Sequence, residues 1–500
     1  MKLVSLEKDT RLLKGTTVAI VLALGLIRTA VMSSAPQWMP TATPVKHVVV
    51  IFDENISFDH YFGTYPNATN PMNEPVFKAA PNTPSVNGLT DALLNHNPNS
   101  TNPFRLDRSM ATTCDNDNHY TDEQKAYDGG LLDMFSVTAC TPGLNMGYYD
   151  GNTVTALWNY AQHYALSDNF FDSEFGTTVM GHLNLISGQT HANISDIKGK
   201  VAFGSVIANV EAGVDDCVTS ANGTPVTMSG RNVGDLLNTK GVTWGWFYAD
   251  FPQSPNNQPI PVPCPSNYNS HYNPFQYYAS TSNKHHLPPT SIAEIGTAAD
   301  QANHQYSLTD FWNAAYSGHL PAVSFLKASK PQTGHPSDST PLAEQTFLVN
   351  TINALMKLHE WKDMAILITY DDSDGWYDHV MPPIMNQSND PMNDALLGPF
   401  GLCGTPKPDA YNDRCGYGTR LPLLVISPFA KQNYVNHTLT DTTSVLRFIE
   451  DNWSLGRIGD QSFDALAGSI LDSFDFKAES RERAVFLDPT TGQVLTKEEK

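Results

Sequence analysis

Five short apolar, β-branched runs constrain this chain more than any other feature: 45–52 (VKHVVVIF), 242–248 (VTWGWFY), 322–326 (AVSFL), 364–370 (MAILITY) and 422–427 (PLLVIS). They are continuous rather than alternating, as in strands whose two faces are both covered. Helical patterns lie between them. The segment 154–166 follows an Asn/Thr start, and 341–359 carries Leu342, Phe347, Leu348, Ile352, Leu355 and Met356 on one face. A third, 442–453, is opened by Asp441 as an N-cap. Strands alternating with helices predict an α/β/α sandwich around a mostly parallel central sheet.

Two Pro/Asn/Ser-rich stretches, roughly 66–118 and 250–300, interrupt this pattern. They are too long for ordinary connections and read as lids or a substrate-shaping cap. The tail 478–500 is charged, ends in KEEK and is expected to fray. Charge narrows the partners. With 30 Lys+Arg against 51 Asp+Glu the formal net charge is −21, which argues against nucleic acid and against adhesion to anionic lipid.

The first 35 residues read as a signal peptide or N-terminal anchor. Lys2, Lys8, Arg11 and Lys14 precede the apolar run 16–27, and Ala30, Ser33, Ser34 and Ala35 follow. A run of 12 residues is short for a membrane span, and no later stretch approaches 18, so no integral membrane domain is expected beyond the leader. The expected location is secreted or periplasmic. The six cysteines all follow the leader, and the local pairs 114–140, 217–264 and 403–415 would each staple one polar loop. None has metal-finger spacing.

In parallel α/β sheets ligands sit beyond the carboxyl ends of the strands. There, 45–52 is followed by Asp53-Glu54-Asn55 and 364–370 by Asp371-Asp372-Ser373-Asp374. Carboxylates delivered together repel one another unless a cation or protons neutralise them. A hard divalent metal on Glu54, Asn55, Asp371 and Asp372 accounts for the pattern; helix caps and turn formers are the plainer alternative. A third segment, 168–184 (DNFFDSEFGTTVMGHLN), places Gly176 and two threonines ahead of an apolar stretch. A helix opening there sets a hydroxyl at its positive end, suited to a phosphate ester.

These segments, together with LPAVSF…GHPS and RLPLLVISPFAKQNYVNHTLTDTTSVLRFIEDNW, resemble the bacterial phospholipase C/acid phosphatase phosphoesterases of the alkaline-phosphatase-like superfamily. The resemblance runs in order from about Val45 to Phe476. It implies an alkaline-phosphatase-like fold, one catalytic domain over 43–477, and hydrolysis of a phosphate ester, either a phospholipid diester or a phosphomonoester. By that resemblance Glu54, Asn55, Asp371 and Asp372 bind a divalent metal (calcium, magnesium, manganese or zinc), and Thr178 is both nucleophile and metal contact. His119, His271 and His335 match pocket histidines, any of which is a candidate general acid. Thr177 stands where the family usually has proline, which leaves two adjacent hydroxyls as nucleophile candidates. His60 and His379 read as partners of neighbouring acids, and His182 and His437 carry no assignment.

Overall fold

The computed structural model describes residues 40–496 except 219–222, 255–259, 261–263, 398–400, 407, 409–410, 412–413 and 478–482. The predicted leader lies outside the described residues. A nine-stranded sheet organises the chain. Its strands are β1 (His47–Asp53), β2 (Ala165–Phe171), β3 (Trp244–Tyr248), β4 (Gln305–Ser307), β5 (Val323–Lys327), β6 (Met364–Tyr370), β7 (Arg420–Ile426), β8 (Tyr434–Asn436) and β9 (Thr440–Asp441). Their order is β4-β3-β5-β1-β6-β7-β2-β8, with β9 also beside β2. All pairings are parallel except those of β7, which runs against β6 and β2. The expected α/β class and mostly parallel sheet are what the chain adopts. Every residue of β1, β6 and β7 is buried, the physical reason for their unbroken apolar runs.

The helices that connect or flank these strands include α1 (Phe58–Phe62), α2 (Tyr120–Tyr127), α3 (Thr155–His163), α4 (Thr178–Ser187), α5 (Pro341–Leu355) and α6 (Thr442–Trp453). Asp441 caps α6 through a reciprocal box with Ser444. The helix expected over 154–166 stops at His163, because Ala165 and Leu166 already belong to β2. α4 follows β2 and presses against the end of β6. A Cβ at Gly181 would lie 1.9 Å from the Asp371 carbonyl oxygen, so only glycine permits that approach.

Each insertion sends side chains into the core: Phe77 of the first packs on Trp158, and Tyr272, Phe275 and Tyr277 of the second are buried. The tail does not fray over 483–496. Leu487 is buried, and Asn353 Nδ2 of α5 donates to its carbonyl at 2.8 Å. One apolar anchor and backbone bonds to α5 outweigh the local charge. All three expected disulfides form: Cys114–Cys140, Cys217–Cys264 and Cys403–Cys415. Among the described residues no helix is long and apolar enough to cross a membrane.

Candidate functional site

β1 and β6 lie side by side in register, so the residues that follow them emerge together. Asn55 takes a left-handed conformation (φ 62°), which asparagine tolerates better than most residues. Its N–H donates to Asp371 Oδ1 at 3.1 Å and its Nδ2 to Asp374 Oδ1 at 3.1 Å. Asp371 Oδ1 also accepts from the Asp372 N–H at 2.9 Å. Asp372 Oδ1 accepts from the Asp374 N–H at 2.7 Å and from Asn118 Nδ2 at 3.0 Å. Glu54 Oε1 is ion-paired with Lys327.

After those bonds, Glu54 Oε2, Asn55 Oδ1, Asp371 Oδ2 and Asp372 Oδ2 remain buried with no hydrogen-bond partner among the described residues. Buried polar atoms are normally satisfied, so four orphaned oxygens at two adjoining strand ends fit a divalent cation. The electrostatics agree. Burial pushes the Glu54 carboxyl well above its usual range and Asp371 adds to this, while Lys327 opposes it. Burial, then the charge of Asp371, does the same to Asp372. Asp371 itself is raised by burial against the pull of Lys327.

Thr178 opens α4 and is buried. Thr177 occupies the N-cap position, but its side chain does not cap the helix. Its hydroxyl donates to Asn209 Oδ1 at 2.9 Å, and that same oxygen caps the Val179 N–H at 3.0 Å. Asn209, which the sequence did not single out, therefore caps α4 in place of the residue at its N-cap position.

The three candidate pocket histidines differ in setting. The His335 ring lies in one group with the Asp115 and Asp374 carboxylates, their nearest atoms within 4.8 Å. His271 Nε2 meets Glu211 Oε1 at 3.0 Å, and its neighbour Tyr272 packs near the Lys327 ammonium, 4.6 Å from ring centroid to Nζ. His119 is exposed and pairs with Asp117, one residue from the Asn118 that holds Asp372.

Two central residues were missed. Lys327 ends β5, fully buried, with its ammonium also 5.6 Å from the Phe52 ring. The strand-end rule applied to 322–326 would have found it. His182 lies one turn along α4 from Thr178; its Nε2 is 3.9 Å from Glu54 Oε1 and its Nδ1 is 3.6 Å from Asp371 Oδ2. Burial, reinforced by Lys327, holds this ring well below the usual histidine pKa. His379 does pair with an acid, but with the distant Asp59 at 2.6 Å rather than with its sequence neighbour Asp378. His60 does not pair with an acid: it donates from Nδ1 to the Gly147 carbonyl at 2.7 Å and stacks on Trp376, and burial pulls its pKa down to about 3. His437 pairs with Asp168.

The model of the Phosphoesterase family matches residues 45–456. The non-hemolytic phospholipase C of Pseudomonas aeruginosa is 25% identical over 484 residues, covering 94% of this chain. This chain spans only 62% of that protein's length. Phospholipase C A of Mycobacterium tuberculosis is 25% identical over 456 residues, 87% of this chain and 78% of that protein. Among solved structures, a protein in the alkaline phosphatase superfamily from Vibrio parahaemolyticus covers 91% of this chain and 78% of its own, at 10% identity and TM-score 0.33.

Proposed function

The chain belongs to the Phosphoesterase family, and from that premise we propose that it is an exported phosphoesterase with phospholipase C-like activity, using Thr178 as nucleophile. The observation that carries the reading is the set of orphaned buried oxygens on Glu54, Asn55, Asp371 and Asp372. A divalent cation on these residues would lower the pKa of a nearby hydroxyl and neutralise phosphate charge.

Thr178 is favoured over Thr177 because the Thr177 hydroxyl is already committed to Asn209. The Thr178 oxygen attacks phosphorus, and one of His119, His271 or His335 gives a proton to the departing alkoxide. Water then opens the phosphothreonine. Two in-line displacements retain configuration at phosphorus. Export is supported by the basic, apolar, small order of 1–35 and by the three disulfides.

The test offers phosphatidylcholine with labelled phosphate, quenches in acid and maps the labelled peptide. Label on Thr178 and release of phosphocholine are expected. Label on Thr177 would overturn the nucleophile, and turnover only of monoesters, with free phosphate released, would make the enzyme a phosphomonoesterase. Thr178→Ala should lose roughly three orders of magnitude in kcat while retaining metal, and Thr178→Ser should keep part of the activity, since the hydroxyl survives.

A further inference from the structure

We infer that His182 is a nitrogen ligand, through Nε2, to the cation held by Glu54 and Asp371, and that the site therefore selects a borderline metal such as zinc over calcium or magnesium. The inference rests on the proposed metal site and extends its oxygen-only ligand set.

The tautomer follows from geometry. His182 Nδ1 lies 2.8 Å from the Thr178 carbonyl oxygen. A carbonyl only accepts, so Nδ1 carries the hydrogen and Nε2 presents a bare lone pair. That atom is buried and has no hydrogen-bond partner among the described residues. The ring is walled by Phe52 at 4.9 Å, Trp246 at 5.9 Å and Tyr272 at 6.0 Å. What Nε2 meets on its polar side is Glu54 Oε1 at 3.9 Å, another lone-pair atom. One donor atom from each of Glu54, His182 and Asp371 lies within 4.8 Å of the others. Ligands on a zinc ion with bonds of about 2.0–2.2 Å are separated by roughly 3.4 Å. Nε2 is 3.9 Å from Glu54 Oε1, whereas Asp371 Oδ2 faces the ring through Nδ1 at 3.6 Å, so a shared ion requires the Asp371 carboxylate to shift toward Nε2. Lys327 holds Glu54 Oε1, and the second oxygen, Oε2, is the one left for a cation. Imidazole nitrogen favours zinc over the oxygen-seeking calcium and magnesium. The Nδ1–H to Thr178 carbonyl bond is also the outer partner that orients a ligating histidine, and it ties the first turn of α4 to the metal.

The full chain is stripped of metal by chelator and dialysed separately against zinc, calcium and magnesium, with bound metal read by elemental analysis. Wild type is expected to take up zinc in preference to calcium and magnesium. His182→Gln should lose at least tenfold in zinc affinity with calcium affinity unchanged. Equal zinc affinity in wild type and His182→Gln would overturn the inference. If circular dichroism shows His182→Gln unfolded, the copper(II)-loaded wild type is examined by electron paramagnetic resonance. Nitrogen hyperfine coupling is expected, and its absence would overturn the ligand. Zinc binding abolished by Glu54→Ala but untouched by His182→Gln sinks this inference alone. No divalent metal bound by wild type sinks the metal reading with it.

Discussion

The segments that follow β1 and β6 each contribute to two acidic clusters, and the clusters are balanced differently. Four to seven residues beyond Glu54-Asn55 and Asp371-Asp372 lie Asp59 and Asp378. Asp59 meets Arg420 Nη2 at 3.0 Å and His379 Nδ1 at 2.6 Å, and Asp378 meets Arg420 at 3.1 Å. The Arg420 guanidinium spans both acids and lies 4.3 Å from the Phe58 ring. In the first cluster Glu54, Asp371 and Asp372, with Asp53 and Asp374 buried beside them, face Lys327 as the cation among them, so their negative charge exceeds the positive. Both clusters are buried, so burial does not distinguish them. One has its counter-charges built into the fold, whereas the other is left with an excess of negative charge that a divalent cation would offset.

Removing a ligand from the unbalanced cluster should have the largest effect. Glu54→Ala or Asp371→Ala should lose bound metal together with roughly four or more orders of magnitude in kcat/KM, since each is a charged ligand from its own strand. Asn55→Ala should be milder, because a neutral amide brings less charge. Full metal occupancy in purified Glu54→Ala would erase the distinction between the clusters.

The balanced cluster should answer in stability instead. Arg420→Met strands Asp378 and leaves Asp59 with His379 alone, and breaking a buried pair of this kind costs about 3–5 kcal/mol. Urea unfolding should show that loss, while metal bound per folded molecule stays at the wild-type level. Loss of metal without loss of stability would reverse the two assignments.

A smaller effect should appear in the pH dependence of that cluster. Burial pushes the Asp59 carboxyl up, but His379 and Arg420 pull it below its ordinary 3.8 overall. Burial pulls the His379 ring down, but Asp59 raises it above its ordinary 6.5 overall. The Asp59 contribution is thus present above 3.8 and lost as pH falls through its depressed folded value. The His379 contribution is complete below 6.5 and lost as pH rises through its elevated folded value. The stability deficit of His379→Gln should be greatest between pH 3.8 and 6.5 and shrink above that range. A deficit constant from pH 5 to 9 would show that the ring acts by packing alone.

The clusters also mark where sequence reading succeeds and stops. β1 and β6 were legible because burial on both faces leaves an unbroken apolar signature, and the acids after them stood out by contrast. β2 was not, because its centre reads Ser167-Asp168-Asn169. These polar groups are tolerated through distant partners: Asp168 accepts from the Asn87 N–H and from His437, each at 2.7 Å. The reversed direction of β7 has no local signature. His182 was unassignable for a related reason: its spacing from Thr178 places both on one helix face, but only the fold brings that face to Glu54 and Asp371. His60 misled because an acid beside it in sequence is not its partner in space.

The smallest expected effect belongs to Thr177, and it probes whether Asn209 has taken over the start of α4. The Thr177 hydroxyl gives one hydrogen bond to Asn209 Oδ1, whereas that oxygen also receives the Val179 N–H. Thr177→Ala removes the first bond and leaves the helix cap standing, so its cost should be about 0.5–1.5 kcal/mol, the worth of one ordinary hydrogen bond. Asn209→Ala removes both bonds and exposes the Val179 N–H without a partner, so it should cost more than Thr177→Ala. Because the α4 start carries Thr178, Asn209→Ala should also lower kcat, while Thr177→Ala leaves kcat within a few-fold of wild type. Chemical denaturation of the two variants beside their rates separates the roles. Equal stability loss in both would return the cap to Thr177, and a collapse of kcat in Thr177→Ala with normal stability would make Thr177, not Thr178, the attacking hydroxyl.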